Sequence, residues 1–472
     1  MASDPTSFLY DFLSFTDVTV NVFARESVLS PANMRFLALR AILGLSSVFY
    51  ISVAGLPTSV GTAFKITDVP SNLTTVPSNS SNGPISPTVE TWQLSADPTF
   101  QFQLLLINGL ATYHGSSTND VLKAALYIEP DETFLQSGAV NARETYFAAA
   151  SYYRAADFYL HGNWSDPRIN VFWDLQTECY NKAIASLPTP GQRMTIPAQG
   201  FDIPVIFYAA DQSSANVKRK TIIMGNGYDA AQEELMHFFV FPALSRGWNV
   251  ITYEGPGQPT VRRKQSMGSI YDWGRVLTPV VDYLYSRHDV DAERLAHLGN
   301  SFGGYLAARA AAFEPRIKAL LLDGGIYDAH ASFAGQLNID PMLKGLFDAG
   351  QQSEFDNTVA ELLRSPQTPS GLRWGIEQGL WAFNINGPYE FLQATKAYSI
   401  ADVFGQIRMP TWIAAAANDQ FFQGQPELVK QALGSRATLH RFDGPAGYHN
   451  QVGAAEEANR VMHIWLNKVF RP

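Results

Sequence analysis

The strongest constraint on this chain is a short run in which a strand, a sharp turn and a helix follow one another directly. Residues 295–298 have the pattern of a β-strand, Gly299-Asn300-Ser301-Phe302-Gly303 has the form Gly-x-Ser-x-Gly, and a helix begins near Tyr305. Glycines flank the serine because the turn is too sharp for side chains, and the strained turn exposes the serine hydroxyl. The turn also points a helix N-terminus at negative charge that develops on a substrate. We therefore predict that Ser301 is a catalytic nucleophile.

The sequence around this turn has the alternating rhythm of an α/β fold. Short runs of β-branched and apolar residues occur at 203–208, 221–224, 249–253, 295–298, 317–322 and 412–416. Amphipathic segments, such as 232–246 and 271–287, lie between them. Strands that alternate with helices predict a mostly parallel sheet that is covered by helices on both faces.

The length and the local composition predict more than one structural unit. The 472 residues exceed what one compact core usually serves. Residues 1–190 have helical spacing, apart from a Pro-, Ser- and Asn-rich loop insertion at 67–90, and 187–191 is a Pro- and Gly-rich boundary. We expect a helical N-terminal domain over 1–190 and the α/β core over 191–472. A helical insertion at about 326–400 would cap the carboxyl ends of the strands, where open α/β sheets bind ligands.

A serine nucleophile needs a base, and three histidines follow the predicted cap. His440 alternates with apolar residues in a strand, and His463 lies in the closing helix, so both positions favour packing. His449 lies in a glycine-rich loop between the last strand and the last helix, where the order Ser, acid, His requires the base. The acid would be Asp419, at the tip of the strand 412–416, where it would orient the imidazole. A helix-capping role is the alternative for Asp419.

Two further loops supply candidate binding groups. Gly225-Asn226-Gly227-Tyr228-Asp229 follows the strand 221–224, and its glycines let backbone amides approach a ligand. We expect the amides of Gly227, Tyr228 and Phe302 to form an oxyanion hole, and the Tyr228 hydroxyl is also a candidate to contact the substrate. Glu254 would contact the substrate or, as the pattern favours, brace its own loop. Asp323, at the end of a strand, is equally open to either role.

Composition and spacing exclude several classes of function. A net charge of -9 argues against binding to nucleic acid or to an anionic membrane. The histidines lack metal-ligand spacing, and no dinucleotide fingerprint occurs, so we expect neither a metal nor a cofactor. The apolar stretch 41–56 is short for a membrane span and favours a buried or dimer-forming helix. The N-terminal sequence and the single cysteine, Cys179, predict a cytoplasmic protein without disulfides.

From about Ala148 to its C-terminus, the chain resembles one group of α/β-hydrolases. The group comprises fungal hydrolases that shorten polyketide chains in naphthopyrone pigment biosynthesis and the bacterial 2,6-dihydroxypseudooxynicotine hydrolase. The motifs that carry the resemblance are Tyr153–Asn163, Gly225–Asp229 with Gln232-Glu233-Glu234, Tyr253–Gln258, Thr278–Leu284, the serine turn and Ala446–His449. The group often has Gly-Glu-His-Cys around the base, whereas this chain has Gly447-Tyr448-His449-Asn450. Tyr448 therefore places a phenol beside the base and predicts an altered substrate.

The resemblance implies an α/β-hydrolase fold with a helical N-terminal domain, a site between the two, and a homodimer. It implies a Ser301–Asp419–His449 triad that hydrolyses a carbon–carbon bond beside a ketone, or an ester. The aromatic cap favours a flat, apolar small molecule, such as a polyketide product. A transacylase or lactone-forming cyclase that uses the same triad is an alternative. A non-hydrolytic cyclisation catalyst or binding module is a second alternative, which the intact triad disfavours.

Overall fold

The computed structural model describes residues 138–211 and 217–471, together with Leu106. The strands are β1 Gln192–Ala198, β2 Phe201–Tyr208, β3 Arg219–Gly225, β4 Asn249–Tyr253, β5 Val290–Asn300, β6 Ala319–Asp323, β7 Thr411–Ala416 and β8 Ala437–Phe442. The α-helices are α1 Gly138–Asp157, α2 Arg168–Ala185, α3 Phe241–Leu244, α4 Pro259–Gln265, α5 Gly274–Ser286, α6 Gly303–Ala311, α7 Ala329–Gly335, α8 Pro341–Asp348, α9 Gln352–Arg364, α10 Ser370–Phe383, α11 Pro388–Thr395, α12 Gln425–Leu433 and α13 Ala455–Val469.

Within the described residues, the strands form one eight-stranded sheet in the order β1-β2-β4-β3-β5-β6-β7-β8. Strand β2 is antiparallel to both β1 and β4. Every pair from β4 to β8 is parallel. The predicted α/β fold with a mostly parallel sheet is therefore confirmed.

The central strands are buried on both sides because successive side chains point to opposite faces. In β6, Leu320 belongs to the apolar cluster that contains Val276 of α5 and Leu306 of α6. Its neighbour Leu321 belongs to the opposite cluster, which contains Phe147 of α1 and Leu466 of α13. Both leucines have no exposed surface. A continuous apolar strand is the pattern expected where helices cover both faces of a parallel sheet.

Two local predictions need correction. Strand β1, at 192–198, was not predicted, because its alternation of half-exposed residues contains only one buried side chain, Ile196. The segment 232–246 is not one helix: it begins as a 3₁₀ turn and continues as a π-helix at 236–240, which leads into α3. Pro242 has no N–H to give to the carbonyl of Phe238, which instead accepts from Asn459 Nδ2 at 2.6 Å.

Helices α7 to α11 fill the interval between β6 and β7, over the range predicted to form a cap. Helices α1 and α2 precede the sheet, and the predictions for residues 1–137, including the loop insertion at 67–90 and the apolar stretch 41–56, lie outside the described residues apart from Leu106. None of the helices in the described part of the chain is both long and apolar enough to span a membrane.

Candidate active site

Ser301 lies in a strained turn between β5 and α6. Its φ of 61° is in the left-handed region, which side-chain-bearing residues rarely adopt. A Cβ on Gly299 would lie 2.0 Å from the carbonyl oxygen of Gly303, and one on Gly304 would lie 2.1 Å from that of Gly324. The Ser301 amide donates to the carbonyl of Asp323 on β6 at 2.7 Å. The glycines are required because other backbone segments approach them closely. The hydrogen bond to the neighbouring strand β6 holds the strained serine in place.

His449 connects Ser301 to Asp419. Its Nε2 lies 2.9 Å from Ser301 Oγ, and its Nδ1 lies 2.8 Å from Asp419 Oδ2. A carboxylate can only accept a hydrogen bond, so the imidazole carries its proton on Nδ1 and leaves Nε2 to accept from the serine hydroxyl. The other oxygen of Asp419 accepts from the amides of Phe421 and Phe422 at 2.8 and 3.0 Å. The structure thus brings together the three residues predicted from sequence, 148 and 30 positions apart along the chain.

The electrostatics of the pair favour a charged imidazole stabilised by a charged carboxylate. Burial alone would lower the pKa of His449, but Asp419, with smaller contributions from Asp323 and Asp229, outweighs it and raises that pKa above its usual value. Burial alone would raise the pKa of Asp419, but His449 and the two backbone amides hold it below its usual range. Such an arrangement stabilises the imidazolium that forms when a histidine removes a serine proton.

The loop after β3 lies directly against the N-terminus of α6. A Cβ on Gly227 would lie 2.6 Å from the backbone nitrogens of both Phe302 and Gly303, so only glycine fits there. Asn300 donates through Nδ2 to Asn226 Oδ1 at 2.8 Å, which ties the serine turn to this loop. The amides of Gly227, Tyr228 and Phe302 donate to no acceptor within the described residues. These are the amides that the sequence predicted for an oxyanion hole.

With the geometry established, comparisons with known proteins identify the fold. Residues 275–354, which include the serine turn, match the model of the prolyl oligopeptidase family. In structure, the chain resembles 2,6-dihydroxy-pseudo-oxynicotine hydrolase with a TM-score of 0.59 and 21% identity, over 77% of this chain and 95% of that one. The chain has the α/β-hydrolase fold.

Its curated relatives are fungal hydrolases. This chain is 28% identical to hydrolase LUC6 of a Fusarium species over 418 residues, which are 80% of this chain and 98% of the relative. It is 28% identical to hydrolase acrC of Aspergillus aculeatus over 72% of this chain and 84% of the relative. It is 27% identical to 20-hydroxy-prefusarin hydrolase FUS2 of Gibberella moniliformis over 79% of this chain and 97% of the relative. The resemblance inferred from the motifs is confirmed by these relatives.

Aromatic side chains from strand-to-helix loops, from helices α7 and α10 and from the segment after α1 surround the serine turn. The Tyr228 ring lies 6.1 Å from that of Phe302, 5.3 Å from that of Phe333 and 6.2 Å from that of Trp374. The contacts continue from Trp374 to Phe421, at 6.3 Å, and from Phe421 to the His449 ring, at 4.9 Å. Phe158 stacks on the Trp374 ring at 4.7 Å. We refer to Phe158, Tyr228, Phe333, Trp374 and Phe421 as the aromatic wall. Phe333 and Trp374 lie within the range 326–400 that was predicted to form an aromatic cap, whereas no pattern in the sequence pointed to Phe158 or Phe421.

Two side chains predicted to contact the substrate, those of Tyr228 and Glu254, form hydrogen bonds to the backbone of the protein. The Tyr228 hydroxyl donates to the carbonyl of Gly375 on α10 at 2.8 Å, so it holds the cap and leaves the ring as the part of Tyr228 near the site. Glu254 is fully buried, and its two oxygens accept from the amides of Gln232 at 3.0 Å and Thr260 at 2.6 Å. Glu254 therefore braces its loop, as the pattern favoured. Its other predicted role, contact with the substrate, is wrong because both oxygens already accept from backbone amides.

Two residues next to the triad have distinct roles. Tyr448 is half-buried, and its carbonyl accepts from the amide of Gln451 at 2.8 Å within the turn that carries His449. A contact between its phenol and the substrate stays a prediction. Asp323 is 1% exposed, and burial raises the pKa of its carboxyl to about 7 despite the opposing effect of His449. Asp323 is therefore a buried acid whose charge acts on the triad.

The other two candidate bases lie in apolar surroundings. The His440 ring lies 4.6 Å from that of Phe442 and 6.4 Å from that of Trp412 in the last two strands. His463 is 2% exposed in α13, and burial lowers its pKa to about 3. Neither contacts Ser301 in the described structure. His449 differs because the turn after β8 brings it to the carboxyl ends of the strands.

Proposed function

We propose that this α/β-hydrolase acts through an acyl-serine intermediate on Ser301 and cleaves an ester, or a carbon–carbon bond next to a ketone, in a polyketide-type secondary metabolite. The observation that carries the proposal is the unbroken path of hydrogen bonds from Ser301 Oγ through His449 to Asp419, at 2.9 and 2.8 Å. A nucleophile, a base and a group that orients the base are thereby in contact, as covalent catalysis requires.

The proposed reaction has two stages. His449 removes the Ser301 proton as Oγ attacks a substrate carbonyl, and the amides of Tyr228 and Phe302 hold the negative oxygen of the tetrahedral intermediate. Collapse expels an alkoxide from an ester or an enolate from a β-dicarbonyl, and His449 returns the proton to that leaving group. Water, deprotonated by His449, then attacks the acyl-serine, and the proton passes back to Ser301 as the acid is released.

The surroundings of Ser301 support a flat, apolar substrate. The aromatic wall offers ring faces beside the serine turn and His449. Aromatic faces stack favourably on conjugated ring systems. The name of the related 20-hydroxy-prefusarin hydrolase supports the assignment to a secondary metabolite. Because carbon–carbon cleavage proceeds through an enolate in this scheme, the chemistry calls for a β-dicarbonyl.

Ser301 is expected to react with a fluorophosphonate probe. The intact mass of the wild-type protein should rise by one adduct, and Ser301→Ala should take none, because His449 activates only this hydroxyl. Denatured wild-type protein is the control for unspecific labelling. A folded wild-type protein that takes no adduct, or a Ser301→Ala variant that is labelled equally, would contradict the proposal. Hydrolysis in H₂¹⁸O should place ¹⁸O in the acid product, whereas acyl transfer to another nucleophile would not.

The rate of probe labelling should rise with pH through a midpoint above 6.5. The base must be neutral to accept the serine proton, and Asp419, Asp323 and Asp229 raise the pKa of His449 above its ordinary value against the effect of burial. In Asp419→Asn the main charge that raises this pKa is removed, so the midpoint should move to lower pH while the plateau rate falls about 10⁴-fold. A midpoint that is the same in Asp419→Asn as in wild type would contradict the role of Asp419 as the main charge that raises the pKa of His449.

A further inference from the structure

Four consecutive carbonyl oxygens in the loop after β3, those of residues 226–229, accept hydrogen bonds from side chains of three other segments. The pairs are Gln258 Nε2 with the carbonyls of Asn226 at 2.6 Å and Gly227 at 3.2 Å, Gln378 Nε2 with that of Tyr228 at 3.1 Å, and an Arg154 guanidinium nitrogen with that of Asp229 at 2.6 Å. Gln258 immediately precedes α4, Gln378 lies on cap helix α10, and Arg154 lies on α1. Each of these four carbonyls therefore has a side-chain donor within the protein.

Gln258 is fully used by the backbone. Its Oε1 accepts from the amide of Gly255 at 2.8 Å, which fixes the orientation of the side-chain amide. Both hydrogens on Nε2 are then available to the carbonyls of Asn226 and Gly227. The residue is 2% exposed. Its polar atoms are thus all engaged within the protein, and it has no group left to bind a substrate.

Each carbonyl belongs to the same rigid peptide plane as the N–H of the next residue. A donor that holds the carbonyl of Asn226 therefore sets the direction of the Gly227 N–H, and one that holds the carbonyl of Gly227 sets that of the Tyr228 N–H. These two amides have no acceptor in the described structure, and Gly227 lies against the amide of Phe302. Preorganised donors of this kind lower a reaction barrier only if they stay aimed at the developing charge.

We propose that Gln258 is a positioning residue that aims the amides of Gly227 and Tyr228 into the oxyanion hole, and that Gln378 holds the next peptide from the cap. The inference rests on the proposed function, since these amides have an oxyanion to bind here only if Ser301 attacks a carbonyl. Gln378 in turn contacts His161 Nδ1 through Oε1 at 2.5 Å, and the His161 ring stacks on that of Trp381 at 4.1 Å. The cap thereby takes part in holding the loop.

The test compares Gln258→Met, which keeps the length of the side chain but removes its donors, with the wild-type protein. On p-nitrophenyl acetate, kcat should fall about 10- to 100-fold, less than or equal to the 10²–10³-fold typical when a donor is lost outright. KM should change less than about twofold, because ground-state binding does not use these amides. The inhibition constant of a phenyl trifluoromethyl ketone, whose serine adduct carries an oxyanion, should rise by the same factor as kcat falls.

Gln176→Leu is the matched control. Gln176 is a glutamine on α2 that is 1% exposed, and its side-chain amide has no hydrogen-bond partner within the described residues. Its replacement should leave kcat within about twofold of wild type, since it holds no part of the site. The midpoint of the pH profile should be the same in Gln258→Met as in wild type, because His449 and Asp419 are untouched. General damage to the fold in Gln258→Met would also shift the midpoint of its pH profile. A similar loss of kcat in Gln176→Leu would show that replacing a buried glutamine is damaging in itself.

The outcomes separate this inference from the proposed function. If the fluorophosphonate probe labels Ser301 in wild type, yet Gln258→Met keeps its kcat or changes only KM, the positioning role is overturned and the proposed function stands. If wild type is not labelled, both fail together. If Gln258→Met does not fold, Gln258→Glu takes its place, because a carboxylate keeps the shape of the side chain and the acceptor for the Gly255 amide but donates to neither carbonyl. A wild-type kcat and trifluoromethyl ketone inhibition constant in Gln258→Glu would then overturn the inference.

Discussion

His449→Ala is expected to lower kcat on p-nitrophenyl acetate by about 10⁵- to 10⁶-fold, the size of effect found when the base of a serine triad is removed. The reason is geometric: Nε2 is 2.9 Å from Ser301 Oγ and is the base in hydrogen-bond contact with it. Without it, the hydroxyl must lose its proton to water. Assays of p-nitrophenyl acetate hydrolysis by purified wild type and variant measure the fall in kcat. Tm, measured in parallel, shows whether the variant is folded.

His440→Ala is the matched control for this prediction, because sequence alone offered both residues as candidate bases. The His440 ring packs against those of Trp412 and Phe442 in the sheet and has no contact with the triad in the described structure. Its removal should cost some stability but leave kcat within a few-fold. Equal losses of activity in the two variants would mean that the triad geometry is not the source of the rate.

Asp157→Ala should lower the free energy of unfolding by about 3–5 kcal/mol, the cost of leaving a buried charge without its partner. Asp157 ends α1, and its carboxylate lies 2.6 Å from the guanidinium of Arg263 on α4 and 3.4 Å from that of Arg154, with the Asp157 and Arg263 side chains 1% and 2% exposed. Arg263 also lies over the rings of Trp173 and Trp381 at 4.4 and 4.7 Å. The variant would leave this cation enclosed by aromatic rings without its carboxylate.

Asp174→Ala is the control, since Asp174 and Lys264 form an ion pair at 3.0 Å between α2 and α4 with side chains 63% and 58% exposed. Its loss should cost less than about 1 kcal/mol. Urea unfolding followed by circular dichroism measures both variants. If Asp157→Ala lowers the free energy of unfolding no more than Asp174→Ala does, the buried ion pairs between α1 and α4 do not stabilise the fold.

Acidity should reduce the effect of Asp157→Ala. Burial alone would raise the pKa of Asp157, but Arg263, His161 and Arg154 outweigh it and hold that pKa below its usual range. A carboxyl whose pKa is depressed by folding contributes stability above its unfolded pKa, about 3.9, and loses it as pH falls through the folded value. The difference in stability between wild type and Asp157→Ala should therefore be constant near neutral pH and narrow below about pH 4.

Where local physics decides the structure, prediction from the sequence was close to what the structure shows. Strand β4 was predicted with its observed bounds, and β7 within one residue, because buried parallel strands are short apolar runs bounded by turns. The segment 232–246 was predicted less well, because its π-helix depends on Asn459 of the last helix, which no local pattern reveals.

The candidate site divides in the same way. The sequence determined the serine turn, because Gly299 is required by the backbone of Gly303 only four residues further along the chain. It also restricted the base to a loop histidine. Only the tertiary structure decided that Glu254 braces backbone, that the Tyr228 hydroxyl holds the cap, and that Gln258 and Arg154 hold the carbonyls of the loop after β3. A polar side chain has the same sequence signature whether it meets a substrate or a buried amide. The packing of distant segments, which sets what each group contacts, makes the distinction.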